Sequence, residues 1–436
     1  NFQAFTEQNC TITMDYTEEK LGREILSKLP SVLAKFAFLT YFFFVIFGRT
    51  MPFQDVEWTS AEDITISNPI NQFVFSFLYV ISFLSLFPKR HQIIKFIISE
   101  KFFSLFLLWS FLSIFWSYDA FVSFKRWLQF FGTGLISLSA LMHFESNEEA
   151  LGYLKLILIF YIPVTLLSIL MGLGVSEWGW AGLTSQKNVL GQISLVSLII
   201  WSIALRSKGI GNKLFAMMFW CLSLILLIGA KSVTCYLTAI FLAIIFCTVS
   251  TQKSIFQPII GKSLSFMFFI LFFISLCALI IFNLDLIDTI LATFSREITF
   301  SGRVDLWTSI FKIAKENLLS GVGFGGFWVV GSPMMEMIYK QHPWFPNEAH
   351  LGYLDIFNET GIIGLLIFIC MVIFYFLNLL KLNRSNFWSW FVVAALLLNF
   401  SESTFITPHK LTGVIFIYSY LALYAEYSKI DKSREF

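Results

Sequence analysis

The chain has 436 residues, of which 57% are hydrophobic and only 13% charged, and 53 of them are Phe. Soluble globular proteins run at about 25% charged, so this composition excludes an ordinary water-soluble domain and points to lipid. The net charge of +2 names no partner by itself, and nothing in its distribution suggests nucleic acid.

A membrane-crossing helix needs about 20 mostly apolar residues. Taken in chain order, such runs fall near 31–47, 69–88, 102–117, 128–144, 151–173, 189–206, 213–230, 233–250, 263–284, 362–380, 387–401 and 409–427. That predicts an all-α integral membrane protein of about twelve spans. Only helices or a closed barrel satisfy the backbone in lipid, and the period-2 alternation of barrel strands is absent. No cleavable signal pattern opens the chain. Five of the six cysteines lie in apolar runs and no CxxC pair occurs, so they are expected to be small buried hydrophobes.

Lys and Arg collect on alternate connections: Lys20, Arg23 and Lys28, then Lys89 to Lys101, then Arg206 to Lys213, then Lys253 and Lys262, Lys381 and Arg384, and the tail from Lys429. The positive-inside rule therefore puts both termini in the cytoplasm. The acidic loop from Gln54 to Asp63 falls outside. The chain divides into a transmembrane bundle over 1–284, an extracytoplasmic loop over 285–361, and a second bundle with a cytoplasmic tail over 362–436.

The polar insertion 285–361 interrupts the apolar pattern and carries Arg296, Arg303, Asn347, Glu348, His350 and Asp355. Ser301 or Gly302 can cap a helix running to about Asn317, with Val304, Trp307, Ile310, Phe311 and Ala314 on one face. Arg303 in its first turn opposes the helix dipole. That placement suits a docked phosphate, which exposed N–H groups and a guanidinium fork would hold. Pairing with Asp305 or Glu297 is the plainer alternative. Gly321-Val322-Gly323-Phe324-Gly325-Gly326 matches GxGxxG, but without a preceding strand and a following helix it reads as a glycine hinge between two helices, a flexible or tightly turned loop, and not a dinucleotide site. Pro346-Asn347 opens a second helix, Asn347 to Thr360, closed by Gly361. His350 then lies one turn in, with Tyr353 and Leu354 following it on the same face. Its imidazole titrates near neutrality and can take a proton from a hydroxyl. His342, expected to be exposed, and His409, expected to cap the last span, are its rivals.

Further basic residues fall at the same outer end: Lys187 at the start of a span, Lys231 in the turn Gly229-Ala230-Lys231-Ser232, and Lys125 with Arg126 after Trp116-Ser117-Tyr118-Asp119. Snorkelling to headgroups accounts for them blandly. A shared anionic ligand accounts for them more sharply. No paired carboxylates stand out as a metal site.

In combination, Ser301-Gly302-Arg303-Val304-Asp305-Leu306-Trp307, Gly321-Val322-Gly323, and His350 through Gly361-Ile362-Ile363-Gly364-Leu365 resemble the O-antigen ligase and polymerase superfamily. So do Lys187-Asn188-Val189-Leu190-Gly191 and Ser232-Val233-Thr234. Asn68-Pro69-Ile70-Asn71-Gln72 and Trp116-Ser117 with Arg126 are similar to its exopolysaccharide polymerase branch. The resemblance runs from about residue 48 to 425. It implies a GT-C type, metal-independent glycosyltransferase of the bacterial inner membrane that needs no cofactor. The donor would be an oligosaccharide on undecaprenyl diphosphate, the acceptor a glycan hydroxyl, and a chain-length regulator a further partner besides the membrane lipids. Arg303 would hold the diphosphate and His350 would be the general base or acceptor-positioning group. Lys187 stands where ligases commonly have arginine, so it offers a point charge instead of a fork. Leu351 stands where most members have Asn or Ser. Lys187, Lys231, Arg126, Arg296, Glu348 and Asn347 complete the expected substrate-binding set. A ligase moving a finished glycan is the near alternative, and a transporter of lipid-linked sugar the distant one.

Overall fold

A computed structural model describes residues 26–48, 69–206, 209–250, 303–342, 346–381, 386–407 and 409–434. The expected span 263–284, the acidic loop Gln54 to Asp63, Arg296 and the expected caps Ser301 and Gly302 lie outside the described residues.

Long apolar runs become helices because each backbone N–H and C=O must find its partner within the segment once water is gone. Six described helical stretches are long and apolar enough to cross a membrane. They are α1 (Leu26–Phe47), Pro69–Ser99, α6 (Asn147–Leu170), α7 (Lys187–Ala204), α8 (Ile210–Ala230) and α12 (Gly352–Lys381). Within Pro69–Ser99, α2 (Pro69–Leu86) runs through a 3-10 turn into α3 (Arg90–Ser99). Between and after them lie α4 (Lys101–Leu112), α5 (Ala120–His143), α9 (Val233–Ser250), α10 (Arg303–Glu316), α11 (Pro333–Gln341), α13 (Ser389–Leu398) and α14 (Leu411–Arg434). The described part is thus a mostly helical, multi-pass membrane protein, with starts and ends close to those read from the sequence. A two-stranded hairpin, β1 (Val175–Ser176) with β2 (Gly179–Trp180), connects α6 to α7.

Aromatic packing fills the core. Phe38, Phe106, Phe130, Phe324, Tyr418 and Tyr420 are fully buried. Phe73, Phe83, Leu170 and Ile210 face outward, as apolar surface meant for lipid does. Cys235 is buried as expected, but Cys221 is exposed on α8, because its helix turns that face out of the bundle.

The insertion is more structured than its sequence suggested. Helix α10 forms where expected and buries Leu306, Ile310, Phe311 and Ala314. An unexpected helix, α11, follows, with Ser332 Oγ accepting from Met335 N and Pro333 in its first turn. The glycine segment is no hinge, since Gly321 to Val329 is buried and packed. The second helix starts at Gly352, not Asn347, and it does not stop at Gly361. It breaks there (φ 67°, ψ −172°) and continues as one element into the span.

That break is satisfied by the glycine segment. Freed carbonyls of Asn358 and Glu359 accept from Val322 N (3.0 Å) and Gly323 N (2.9 Å), and Trp109 Nε1 donates to Thr360 O at 2.8 Å. On the far side Ile362 N and Ile363 N donate to Leu318 O and Leu319 O. A Cβ at Gly361 would stand 2.2 Å from Leu319 O and the φ is left-handed. Gly361→Ala is therefore expected to destabilise the protein by ~2–4 kcal/mol, from the left-handed cost plus overpacking. A thermal melt in detergent, followed by intrinsic Trp fluorescence, reads this directly, and an unchanged midpoint would refute it.

Polar contacts gather at the two ends of the bundle. One end ties Asn147 and Asn386 to Glu426, and Lys35 to Glu149 at 2.6 Å. A recess of about 1240 Å³ opens there between α6, α7, α8, α9 and α13, its wall mainly apolar with Lys155 and Arg206 among its residues. A cluster of convergent ionisable groups sits at the opposite end.

Candidate active site

The opposite end carries the starts of α7, α9, α10, α12 and α14 and the end of α13. Arg303 opens α10. Its Nη1 donates to Ser401 O at 3.0 Å and its Nη2 lies 3.9 Å from Glu402 Oε1. Among the described residues its partners are thus Ser401 and Glu402, 98 and 99 positions downstream, and not Asp305, while Glu297 lies outside the described residues.

His350 sits before α12, not one turn inside a helix, and its backbone is left-handed at φ 51°. Tertiary bonds override the helix-start signal at Pro346-Asn347. Trp307 Nε1 donates to Ala349 O at 2.7 Å, and Ala349 N donates to Asp355 Oδ2 at 3.1 Å. Asp355 is buried and also accepts from Trp328 Nε1 at 3.0 Å and from Ser403 Oγ. Gly352 N then donates to Asn399 O, and any Cβ at Gly352 would collide with the Asn399 side chain. This frame fixes where the imidazole points.

The ring's Nδ1 faces two carboxylates, Glu348 Oε1 at 3.2 Å and Glu402 Oε2 at 3.9 Å. Lys410 Nζ pairs with Glu348 Oε2, and Asn188 Nδ2 donates to Glu402 Oε1 at 2.8 Å. Burial alone would lower the His350 pKa, but the two carboxylates outweigh it and raise it to about 9, with Arg303 pulling the other way. Burial likewise pushes the Glu348 carboxyl up, and Lys410 and His350 together overcome that, holding it down at about 2. Arg303 and His350 keep 21% and 17% of their side-chain surface, enough for a ligand to reach them.

The ligand atoms of Glu348, His350 and Glu402 lie within 4.8 Å of one another, a spacing that a cation could bridge. Two side-chain cations, Lys410 and Arg303, already lie against those carboxylates. Each carboxylate thereby meets a cation from the cluster's own residues.

Of the residues expected from sequence, Arg303, Glu348 and His350 come together. Lys187 and Lys231 converge on the neighbouring hairpin, where their Nζ atoms donate to Trp178 O (3.0 Å) and Glu177 O (3.2 Å). Arg126 is elsewhere. Its guanidinium donates to Gly325 O (2.6 Å) and Trp328 O (2.7 Å), clamping the glycine segment. Asn347 is exposed and caps no helix. His342 is buried beside Ser309, not exposed. His409 is buried too, stacked on Phe75 at 4.1 Å with Nδ1 3.2 Å from Tyr41 Oη.

Sequence reasoning passed over Glu402, Lys410 and Asn188. The polar run Ser401-Glu402-Ser403-Thr404 between two apolar stretches was a signal for the first, and Asn188 lies in a motif already singled out for its neighbour Lys187.

Comparison with known proteins places this geometry in context. Residues 216–369 match the family described as O-antigen ligase, a narrower stretch than the sequence motifs covered. It contains Lys231, Arg303, Glu348 and His350 but not Asn188, Glu402 or Lys410. The chain is 30% identical over 99 residues to the exopolysaccharide production protein ExoQ of Rhizobium meliloti, which is 22% of each chain. It is 29% identical over 248 residues to a provisionally named polysaccharide ligase of Rickettsia felis, 55% of this chain and 57% of that one. A similarly named protein of Rickettsia conorii is 28% identical over 201 residues, 44% and 46% of the two chains. The matched stretches thus cover at most a little over half the length of these relatives. They support the resemblance to the O-antigen ligase and polymerase superfamily.

Proposed function

We propose that this protein is a metal-independent membrane glycosyltransferase that joins lipid-linked oligosaccharide repeat units into a surface polysaccharide. The donor is an oligosaccharide on undecaprenyl diphosphate and the acceptor a hydroxyl on another glycan. The observation that carries the reading is the meeting of Arg303 and His350 on one carboxylate, Glu402, at one end of the bundle.

The chemistry follows from those groups. The acceptor oxygen bonds to the anomeric carbon of the donor as the bond from that carbon to the diphosphate oxygen breaks. The electron pair leaves with the diphosphate, whose growing charge Arg303 stabilises, with Lys187 beside it. The hydroxyl proton passes to His350. With Nδ1 turned to Glu348 and Glu402, the ring nitrogen that meets the hydroxyl is Nε2, an arrangement like other carboxylate-oriented imidazoles. Side-chain cations supply the positive charge, so no metal is invoked. In this reading the protein is of GT-C type with about twelve spans in the bacterial inner membrane, both termini are cytoplasmic, and the site faces the periplasm or exterior. A chain-length regulator would act on it from outside the described contacts.

A ligase is the second reading, favoured by the family matched over residues 216–369 and by the names of the two Rickettsia proteins. Purified protein in nanodiscs, given only lipid-linked repeat units in EDTA, separates the two. A polymerase yields a ladder of products spaced by one repeat in the mass spectrum. A product formed only after a second acceptor is added would replace polymerase by ligase, and no new glycosidic bond in either case would sink both.

A further inference from the structure

Glu402 lies outside the family match and outside the set of residues that the sequence motifs singled out, yet it stands against Asn188, Arg303 and His350 together. It is buried, and its carboxylate has three neighbours, two on helices and one in the loop before α12. Oε1 accepts from Asn188 Nδ2 on α7 at 2.8 Å, and the same oxygen stands 3.9 Å from Arg303 Nη2 on α10. Oε2 stands 3.9 Å from His350 Nδ1. The residues on either side pin the backbone. Ser401 O takes Arg303 Nη1 and Ser401 Oγ donates to Thr234 Oγ1, while Ser403 Oγ donates to Asp355.

The distances matter. A closed charge-assisted bond is about 2.7–2.9 Å, so the Asn188 contact is closed and both ionic contacts are open. The carboxylate is therefore anchored by an uncharged amide and shared loosely between a guanidinium and an imidazole. A diphosphate offers Arg303 paired oxygens that match its fork, a better partner than one carboxylate oxygen at 3.9 Å.

We infer that Glu402 is a positioning residue that holds Arg303 until the donor diphosphate displaces it and, throughout, orients the His350 ring towards the acceptor. Anchoring by Asn188 lets it release Arg303 without swinging away from His350. This rests on the glycosyl-transfer reading above. The charged groups that face the ring are Glu348, Lys410 and Arg303 besides Glu402, so replacing Glu402 alone removes one of two carboxylates and leaves the other paired.

The test uses the full chain in nanodiscs with a lipid-linked donor, and reads kcat and donor KM across pH for wild type, Glu402→Gln and Asn188→Ala. Glu402→Gln keeps an acceptor for Asn188 but removes the charge. Its donor KM is expected to be unchanged or lower, since Arg303 loses a competitor. Its plateau rate should fall roughly 10- to 100-fold as the ring loses alignment, and the rising limb assigned to His350 should move to lower pH. Asn188→Ala leaves every charge in place, so its plateau should fall while its limb stays at the wild-type pH. A limb that does not move in Glu402→Gln, or a donor KM that rises with kcat intact, overturns the assignment. So does a wild-type plateau in Asn188→Ala. Absence of any rising limb in the wild type is a different failure, since it removes His350 as base and with it the reading on which this inference stands.

Discussion

Replacing His350 with alanine is expected to cut the rate of sugar transfer by about 100- to 10,000-fold, the range that general acid–base groups supply, while the protein still inserts and melts as a folded bundle. The pH profile makes the expectation specific. Glu348 and Glu402 raise the ring's pKa from its ordinary 6.5 to about 9, so at neutral pH only roughly one ring in a hundred is in the base form. The rate should rise with pH, reach about half its plateau near 9 and level off above it. The same shift sets a stability term of known sign. A raised pKa stabilises the fold fully below the unfolded value of about 6.5 and less as pH climbs through 9. Activity and stability should therefore move in opposite directions between pH 7 and 9. Wild-type activity that falls over that interval, or full-length polymer from the alanine variant, would remove His350 from the base role.

Replacing Arg303 with alanine should cost about 100- to 1,000-fold in kcat/KM, as removal of one preorganised charge stabiliser does elsewhere. The loss should appear in both donor KM and kcat, because the diphosphate is bound in the ground state and gains charge as the bond breaks. Arg303→Lys should recover only part, since an ammonium lacks the fork. Arg303 also lowers the proton affinity of His350, so the rising limb of Arg303→Ala should shift to higher pH. Titration of a lipid diphosphate analogue by microscale thermophoresis isolates the binding part. Equal affinity in wild type and Arg303→Ala would show that the guanidinium serves the fold and not the donor.

The spans were legible because a lipid solvent leaves little choice. Apolar runs near 213–230 and 233–250 became Ile210–Ala230 and Val233–Ser250. Arg303 was legible from an anomaly, a cation in a first turn. His350 was legible in identity but not in conformation, because the bonds to Trp307 and Asp355 that hold Ala349 reach across 42 and 6 residues. Helix α11 could have been found, since Ser332-Pro333 followed by Glu336 is a readable helix start. Glu402 and Asn188 could not be paired from sequence, being 214 positions apart. Arg126 is a basic residue in the expected place whose fork is engaged by the backbone of the glycine segment.

The broken turn at Gly361 has a mechanical consequence. Its carbonyls and amides are laced to Leu318 through Gly323 on both sides of the bend, so the wall formed by this segment shares the stiffness of the span beneath it. That wall cannot swing as a lid. In the polymerase reading, room for a lengthening sugar chain comes from parts of the surface that carry no such stitching, and the growing end threads past a fixed edge instead of waiting for a door to open.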